Sequence, residues 1–265
     1  MKKGISWFSI PSELSTKEKF QLVKSAGYDG VELQTVRSET ELFEFKEKAD
    51  EAGLETPSFI ETVHWKAPLS GSNVEERMNT REIFKSNLEY AAKIGSNTVL
   101  CVPGVVSHVS SYPNVYKTAL NEIKILAKVA EEVKVNLAIE NVWNKFLLSP
   151  LEFIDFLDQV NSPYVKAYFD CGNICLYGYP QDWIRLLGKK RIAKIHVKGF
   201  LDYPHEIGFP KSLVSDVPWK SIMQAIHEID YDDYLIVEIK ADGNNDVEKV
   251  FQYSKELSRI IEGAI

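Results

Sequence analysis

Apolar positions along this chain fall into two rhythms that take turns. Short, nearly continuous apolar runs alternate with longer stretches in which apolar residues recur three or four positions apart, the marks of buried strands and amphipathic helices. Lys3 to Phe8 reads as a first strand, closed by Pro11 and Ser12. Ser15 followed by Glu18 forms a capping-box signature, and Phe20, Leu22, Val23 and Ala26 continue it as a helix ending at Gly27. Strands are then expected at 30–33, 54–63, 98–102, 135–140, 164–170, 192–198 and 233–239. Helices are expected at 39–52, 74–94, 113–132, about 150–160, 180–188, 218–229 and 245–262, with Gly53 and Gly95 as stops.

That makes eight strand–helix units of about 33 residues each. Strand–helix alternation implies parallel pairing with right-handed crossovers, and eight units is the closure number of the (β/α)8 TIM barrel. An open doubly wound sheet would normally carry a Gly-rich phosphate turn after an early strand, and neither G-x-G-x-x-G nor a Walker pattern occurs. No Pro/Gly/Ser-rich linker divides the chain, so residues 1–265 read as a single α/β domain.

Four of the later strands end alike. Leu137-Ala138-Ile139-Glu140, Ala167-Tyr168-Phe169-Asp170, Ala193-Lys194-Ile195-His196 and Leu235-Ile236-Val237-Glu238 are each an apolar run closed by a residue able to bind a divalent cation. Strand side chains alternate, so Glu140 shares the face of Ala138, and Glu238 sits between outward-facing Val237 and Ile239. In a barrel the reactive groups gather at the C-terminal strand ends, where Glu140, Asp170, His196 and Glu238 would converge on one ion. Three carboxylates and one imidazole suit Mn²⁺, Mg²⁺ or Co²⁺, and Zn²⁺ is compatible.

Composition narrows the function classes. A hydrophobic share of 45% and a charged share of 26% support a sizeable core. The net charge of −7 disfavours nucleic-acid binding, and the densest basic run, Lys189-Lys190-Arg191, reads as a solvated loop on the face opposite the site. Three cysteines (Cys101, Cys171, Cys175) suggest no disulfide framework, and the last two are expected to be packing residues. No signal peptide or membrane span is apparent, so a cytoplasmic protein is expected.

The segments Ala138-Ile139-Glu140-Asn141, Phe169-Asp170-Cys171-Gly172-Asn173, Ile195-His196-Val197-Lys198 and Val237-Glu238 resemble the xylose isomerase-like barrel family of sugar and sugar-phosphate isomerases and epimerases. Gly27-Tyr28-Asp29-Gly30-Val31-Glu32-Leu33 and Pro68-Leu69-Ser70 extend the resemblance over the whole chain. It implies a ketose 3-epimerase-like enzyme in which Glu140, Asp170, His196 and Glu238 hold one divalent metal and Glu140 and Glu238 also move the proton. The chemistry would be proton abstraction beside a carbonyl, through a metal-stabilised enediolate. Asn173 stands where many members have His, Asp202 where ketose 3-epimerases carry Arg, and Phe146 where they carry a substrate-contacting Glu.

His64, Asn173 and Lys198 are candidate substrate contacts, each with a purely structural alternative, and Trp7 and Trp143 are candidate pocket walls. His108, His205 and His227 read as ordinary residues of loops and a helix. The expected partner is a small sugar or sugar phosphate, with homo-oligomer formation left open. Three rival functions remain: an inosose-type dehydratase acting on a cyclic polyol ketone, a three-metal DNA-repair endonuclease, and a non-catalytic sugar-binding barrel.

Overall fold

The computed structural model describes residues 1–203, 206–241 and 246–265. Eight parallel strands close into a barrel: β1 (Lys2–Ser6), β2 (Gly30–Gln34), β3 (Ser58–Ile60), β4 (Thr98–Cys101), β5 (Asn136–Glu140), β6 (Val165–Asp170), β7 (Ile192–Val197) and, last in the ring, β10 (Tyr234–Val237). Neighbouring staves pair in sequence order, and β10 closes the ring between β7 and β1. The expected TIM barrel is therefore the observed architecture.

Helices α1 (Thr16–Ser25), α2 (Glu39–Ala52), α3 (Val74–Ile94), α4 (Tyr112–Val133), α5 (Pro150–Val160), α7 (Pro180–Arg191), α8 (Trp219–Glu228) and α9 (Asp246–Ile261) follow their strands. Their boundaries obey local chemistry. Ser15 Oγ accepts the Glu18 backbone N–H while the Glu18 carboxylate accepts that of Ser15, the capping box expected from sequence. Gly53 and Gly95 stop α2 and α3 at φ of 64° and 79°, a left-handed geometry that costs glycine little.

The alternation of each strand sorts its side chains into two cores. Val31, Leu33, Leu137, Ile139, Phe169, Ile195 and Val237 face outward into the layer between sheet and helices. Ile60, Leu100, Ala138, Tyr168, Tyr234 and Ile236 fill the barrel lumen. Burying the outward layer supplies about 25 cal/mol per Å² of apolar surface, and it fixes the register: a one-residue slip would turn every ligand-bearing position toward the helices.

Several details differ from expectation. The third strand spans only Ser58–Ile60, because Pro57 has no N–H to give the ladder, and residues Val63–Trp65 coil into a 3₁₀ turn. Lys189, Lys190 and Arg191 are not a loop. They form the last turn of α7 beyond a kink at Gly188, where cations complement the carbonyl end of the helix, and Arg191 pairs with Asp158 at 2.9 Å. The first strand stops at Ser6 and Trp7–Ser9 turn as a 3₁₀ helix, short of the expected end at Phe8; also unforeseen are a one-turn helix α6 (Cys171–Ile174) and a hairpin of β8 (Leu201–Tyr203) and β9 (Glu206–Gly208) inserted after β7.

Candidate active site

Glu140 is the last residue of β5, Asp170 the last of β6, His196 the penultimate residue of β7, and Glu238 the first beyond β10. The β6–β7 register sets Asp170 beside His196. One ligand atom from each of these four residues lies within 4.8 Å of all the others, so the structure brings together the whole predicted metal set. Asp170 is pinned on both sides. Its Oδ1 accepts the Asn173 N–H at 2.7 Å, and its backbone N–H and C=O are clamped by the Asn141 amide at 3.0 and 2.9 Å.

His196 is fully buried and held at both ring nitrogens. Nε2 lies 3.0 Å from Glu32 Oε2, and Nδ1 lies 3.2 Å from Glu140 Oε1. When Nε2–H donates to Glu32, Nδ1 offers its lone pair to the cluster, the carboxylate–histidine arrangement that orients metal ligands. Glu32 itself is buried in the lumen, with Oε1 accepting hydroxyl protons from Ser58 at 3.2 Å and from Tyr168. The sequence reading passed over Glu32, although a carboxylate on the inward parity of an apolar strand (Gly30, Glu32, Gln34) was the available signal.

The electrostatics of the cluster follow from its burial and its crowding of charges. Burial pushes the Glu140 carboxyl up to about 7, against the opposing pull of the His196 hydrogen bond, and burial likewise raises Asp170. Burial would also raise Glu238, but the Lys198 and His196 charges outweigh it and hold that group below its usual value. For His196, burial pulls down while the carboxylates of Glu32 and Glu238 and the bonds to Glu140 and Glu32 prevail, carrying it well above the ordinary value. Two buried oxygens, Asp170 Oδ2 and Glu238 Oε2, accept no well-directed hydrogen bond. Lys198 Nζ approaches both, at 3.0 Å from Asp170 Oδ2 and closer still to Glu238, as an ion pair lacking hydrogen-bond geometry at those atoms. Three hard oxygens and one imidazole nitrogen, with buried carboxylate lone pairs left over, fit a divalent cation.

A cavity of about 930 Å³ opens above this cluster and is lined by Glu140, Glu238, His64, Asn173 and Lys198. His64 sits on the 3₁₀ turn after β3, 1% exposed, and its Nδ1 has no hydrogen-bond partner. Burial lowers its pKa to about 3, so the ring is neutral and free to bond a hydroxyl. Asn173, at α6, commits its amide N–H to the Asn141 carbonyl at 2.8 Å. Trp143 donates to the Asn173 carbonyl at 3.0 Å and stacks on Phe209 at 4.4 Å, so it walls the cavity. Trp7 also lines it while packing on Phe20 and Phe45, which makes it both wall and core. His108 and His227 are exposed and away from the cluster, and His205 lies outside the described residues.

A family model described as xylose isomerase-like TIM barrel matches residues 20–261. The chain belongs to that family. Among its relatives is the L-ribulose-5-phosphate 3-epimerase UlaE of Escherichia coli K12, 22% identical over 213 residues, covering 74% of this chain and 72% of the relative. Among solved structures, a D-psicose 3-epimerase crystallised in the presence of D-fructose superposes with a TM-score of 0.81 at 20% identity, covering 99% of this chain and 100% of the other. An L-ribulose 3-epimerase gives 0.83 at 14% identity, covering 99% and 95%. At such identities the superpositions speak for the barrel alone.

Proposed function

We propose that this member of the xylose isomerase-like barrel family is a divalent-metal-dependent ketose or ketose-phosphate epimerase that inverts the carbon next to a carbonyl. The observation that carries the reading is the convergence of Glu140, Asp170, His196 and Glu238 at the floor of a sugar-sized cavity. The relatives' names, which specify 3-epimerisation of L-ribulose 5-phosphate and related ketoses, support the same chemistry.

A cation held by those four side chains would supply Lewis-acid polarisation of the substrate carbonyl. The chain's own residues do the rest. Glu140 and Glu238 stand on staves three positions apart around the ring. With one carboxylate taking the proton from the carbon beside the carbonyl and the other returning it from the opposite face, the centre inverts. Lys198 places a positive charge beside Asp170 and Glu238, which favours negative charge developing on a substrate oxygen. His64 is assigned a substrate hydroxyl through its unpartnered Nδ1, while Asn173 acts by holding the β5 and β6 ends together. Trp143 and Phe209 cover the cavity and exclude water.

No observation favours the dehydratase, and among the described residues the site offers a single four-ligand cluster, against the three-metal requirement of the endonuclease. The test is deuterium incorporation. Ketoses and ketose 5-phosphates incubated in deuterated water with Mn²⁺ or Co²⁺ should gain label at the carbon beside the carbonyl, and Glu238→Gln should abolish it. Labelling at the wild-type rate in that variant would overturn the acid/base assignment.

A further inference from the structure

Charge in the cavity is divided between two sectors. The carboxylates Glu140 and Glu238 occupy its floor, where the one lysine, Lys198, is already ion-paired to Asp170 and Glu238, and Glu61 lies on the β3 side with its oxygens taken by Thr62, Val63, Thr35 and Asn87. The wall between β10 and α1 carries lysines instead: Lys19, Lys211 and Lys240. These three are brought together by the way the chain closes. The Ala241 N–H donates to the Phe8 carbonyl at 2.9 Å and the Ile239 N–H to Ser9 Oγ at 2.9 Å, zipping the segment after β10 to the segment after β1. Lys211 Nζ donates to the Lys240 carbonyl, so its chain is drawn into the same sector.

Lys19 is the member that a surface-charge explanation cannot cover. It is 7% exposed, and among the described residues its ammonium has neither an ion pair nor a hydrogen bond. Nζ stands 4.5 Å over the Trp7 ring, which satisfies one face of the cation and leaves its donors to the cavity. Burial holds its pKa below the ordinary lysine value, Glu13 pulling the other way from beyond ion-pair reach. A desolvated ammonium without a counter-charge is costly, and an anion arriving with the ligand removes that cost. Ser12 and Gln34 also line the cavity and add neutral hydrogen-bonding groups. In (β/α)8 barrels the loops after the seventh and eighth strands are a frequent seat for phosphate, and Lys211 and Lys240 follow β7 and β10, the seventh and eighth staves.

We propose that Lys19, Lys240 and Lys211 form a subsite for the phosphate monoester of a phosphorylated ketose, anchoring the end of the substrate remote from Glu140 and Glu238. This inference rests on the epimerase reading above, and deepens it by assigning the substrate to the phosphorylated class.

Two measurements on the full-length protein test it separately. Inorganic phosphate is titrated into chelator-treated protein by calorimetry, which reads the lysines with no contribution from turnover. Lys19→Met, which keeps the packing on Trp7, and the exposed-rim variant Lys240→Gln should each weaken phosphate binding about tenfold or more, the value of a charge-assisted contact. Lys19→Arg should restore it to within about threefold. In the metal-loaded enzyme, the ratio of kcat/KM for a ketose 5-phosphate over the same free ketose should exceed about a hundred and fall at least tenfold in either neutral variant. Phosphate binding unchanged in both variants overturns the subsite, as does equal use of free and phosphorylated ketose. Loss of phosphate binding in the variants, with no epimerisation of any ketose, supports the subsite and fails the epimerase reading alone.

Discussion

Glu32→Gln isolates the contribution of a residue that touches no substrate. Glu32 Oε2 faces His196 Nε2 at 3.0 Å, and Oε1 accepts from Ser58 at 3.2 Å and from Tyr168, so every group around this buried carboxylate is a donor. Glutamine has the same shape but only one acceptor oxygen. The Ser58 and Tyr168 hydroxyls can rotate to accept from the new amide N–H₂, whereas the His196 N–H cannot reverse, so the amide oxygen turns to the imidazole. That contact then changes from charge-assisted to neutral. Hydrogen bonds to charged groups contribute about 1.5–3 kcal/mol and neutral ones about 0.5–1.5 kcal/mol, so His196 loses about 1–2 kcal/mol of support as a ligand. Such a loss corresponds to about a five- to thirtyfold rise in the Mn²⁺ or Co²⁺ dissociation constant, overlapping the lower part of the roughly 10–100-fold span known for partners of metal-bound histidines. Calorimetric titration of the metal-free protein measures it directly. Thermal stabilisation by a saturating ion should fall by about 1.4 kcal/mol per tenfold loss. Glu55→Gln, which alters a carboxylate that pairs with Lys2 and Tyr234 at the other end of the barrel, should leave affinity unchanged. Equal affinities for Glu32→Gln and wild type, with the fold intact, would refute the reasoning.

Further consequences can be checked independently. His64 has a folded pKa of about 3, below its unfolded value near 6.5, so the unfolded chain binds the extra proton and stability is lost as pH falls through that window. Between pH 7 and 4.5 wild type should lose about 2.5 kcal/mol more than His64→Gln, measured by urea unfolding at each pH. Asn141→Ala removes both bonds that clamp the Asp170 backbone and should lower unfolding free energy by about 1–3 kcal/mol. Glu140 (about 7) and His196 (well above its usual value) must both give up protons to a bound cation, so Mn²⁺ affinity should rise with pH, steeply below neutrality and less steeply once Glu140 has ionised. Calorimetry in buffers of different ionisation enthalpy would count those protons, and release of none would contradict the shifts.

The barrel and the four-residue cluster were legible in the sequence because both are written in the same period. Alternation along Leu137–Glu140 tells which side chains face the lumen, and the apolar run tells where the strand stops, so a ligand on the last inward position is placed by two independent rules. Elements built from few hydrogen bonds leave no such record. The one-turn helix Cys171–Ile174 is too short for a 3.6-residue period to appear, and the hairpin at 201–208 is a three-residue ladder, shorter than any window that detects alternation. Glu32 was missed for a different reason. Its partners Ser58, Tyr168 and His196 lie 26, 136 and 164 residues away in the chain, the last two on β6 and β7 across the lumen, and only closure of the barrel makes them a network. Lys19 belongs to the same class: on its helix it is one cation among several, and only the crossing of Trp7 beneath it turns a solvated charge into a buried one. Residues whose chemistry depends on one strand are thus readable in advance, while residues whose chemistry depends on which strands become neighbours emerge with the fold. In this barrel the first group forms the four-residue cluster, and the second group holds its histidine and lines the cavity beside it.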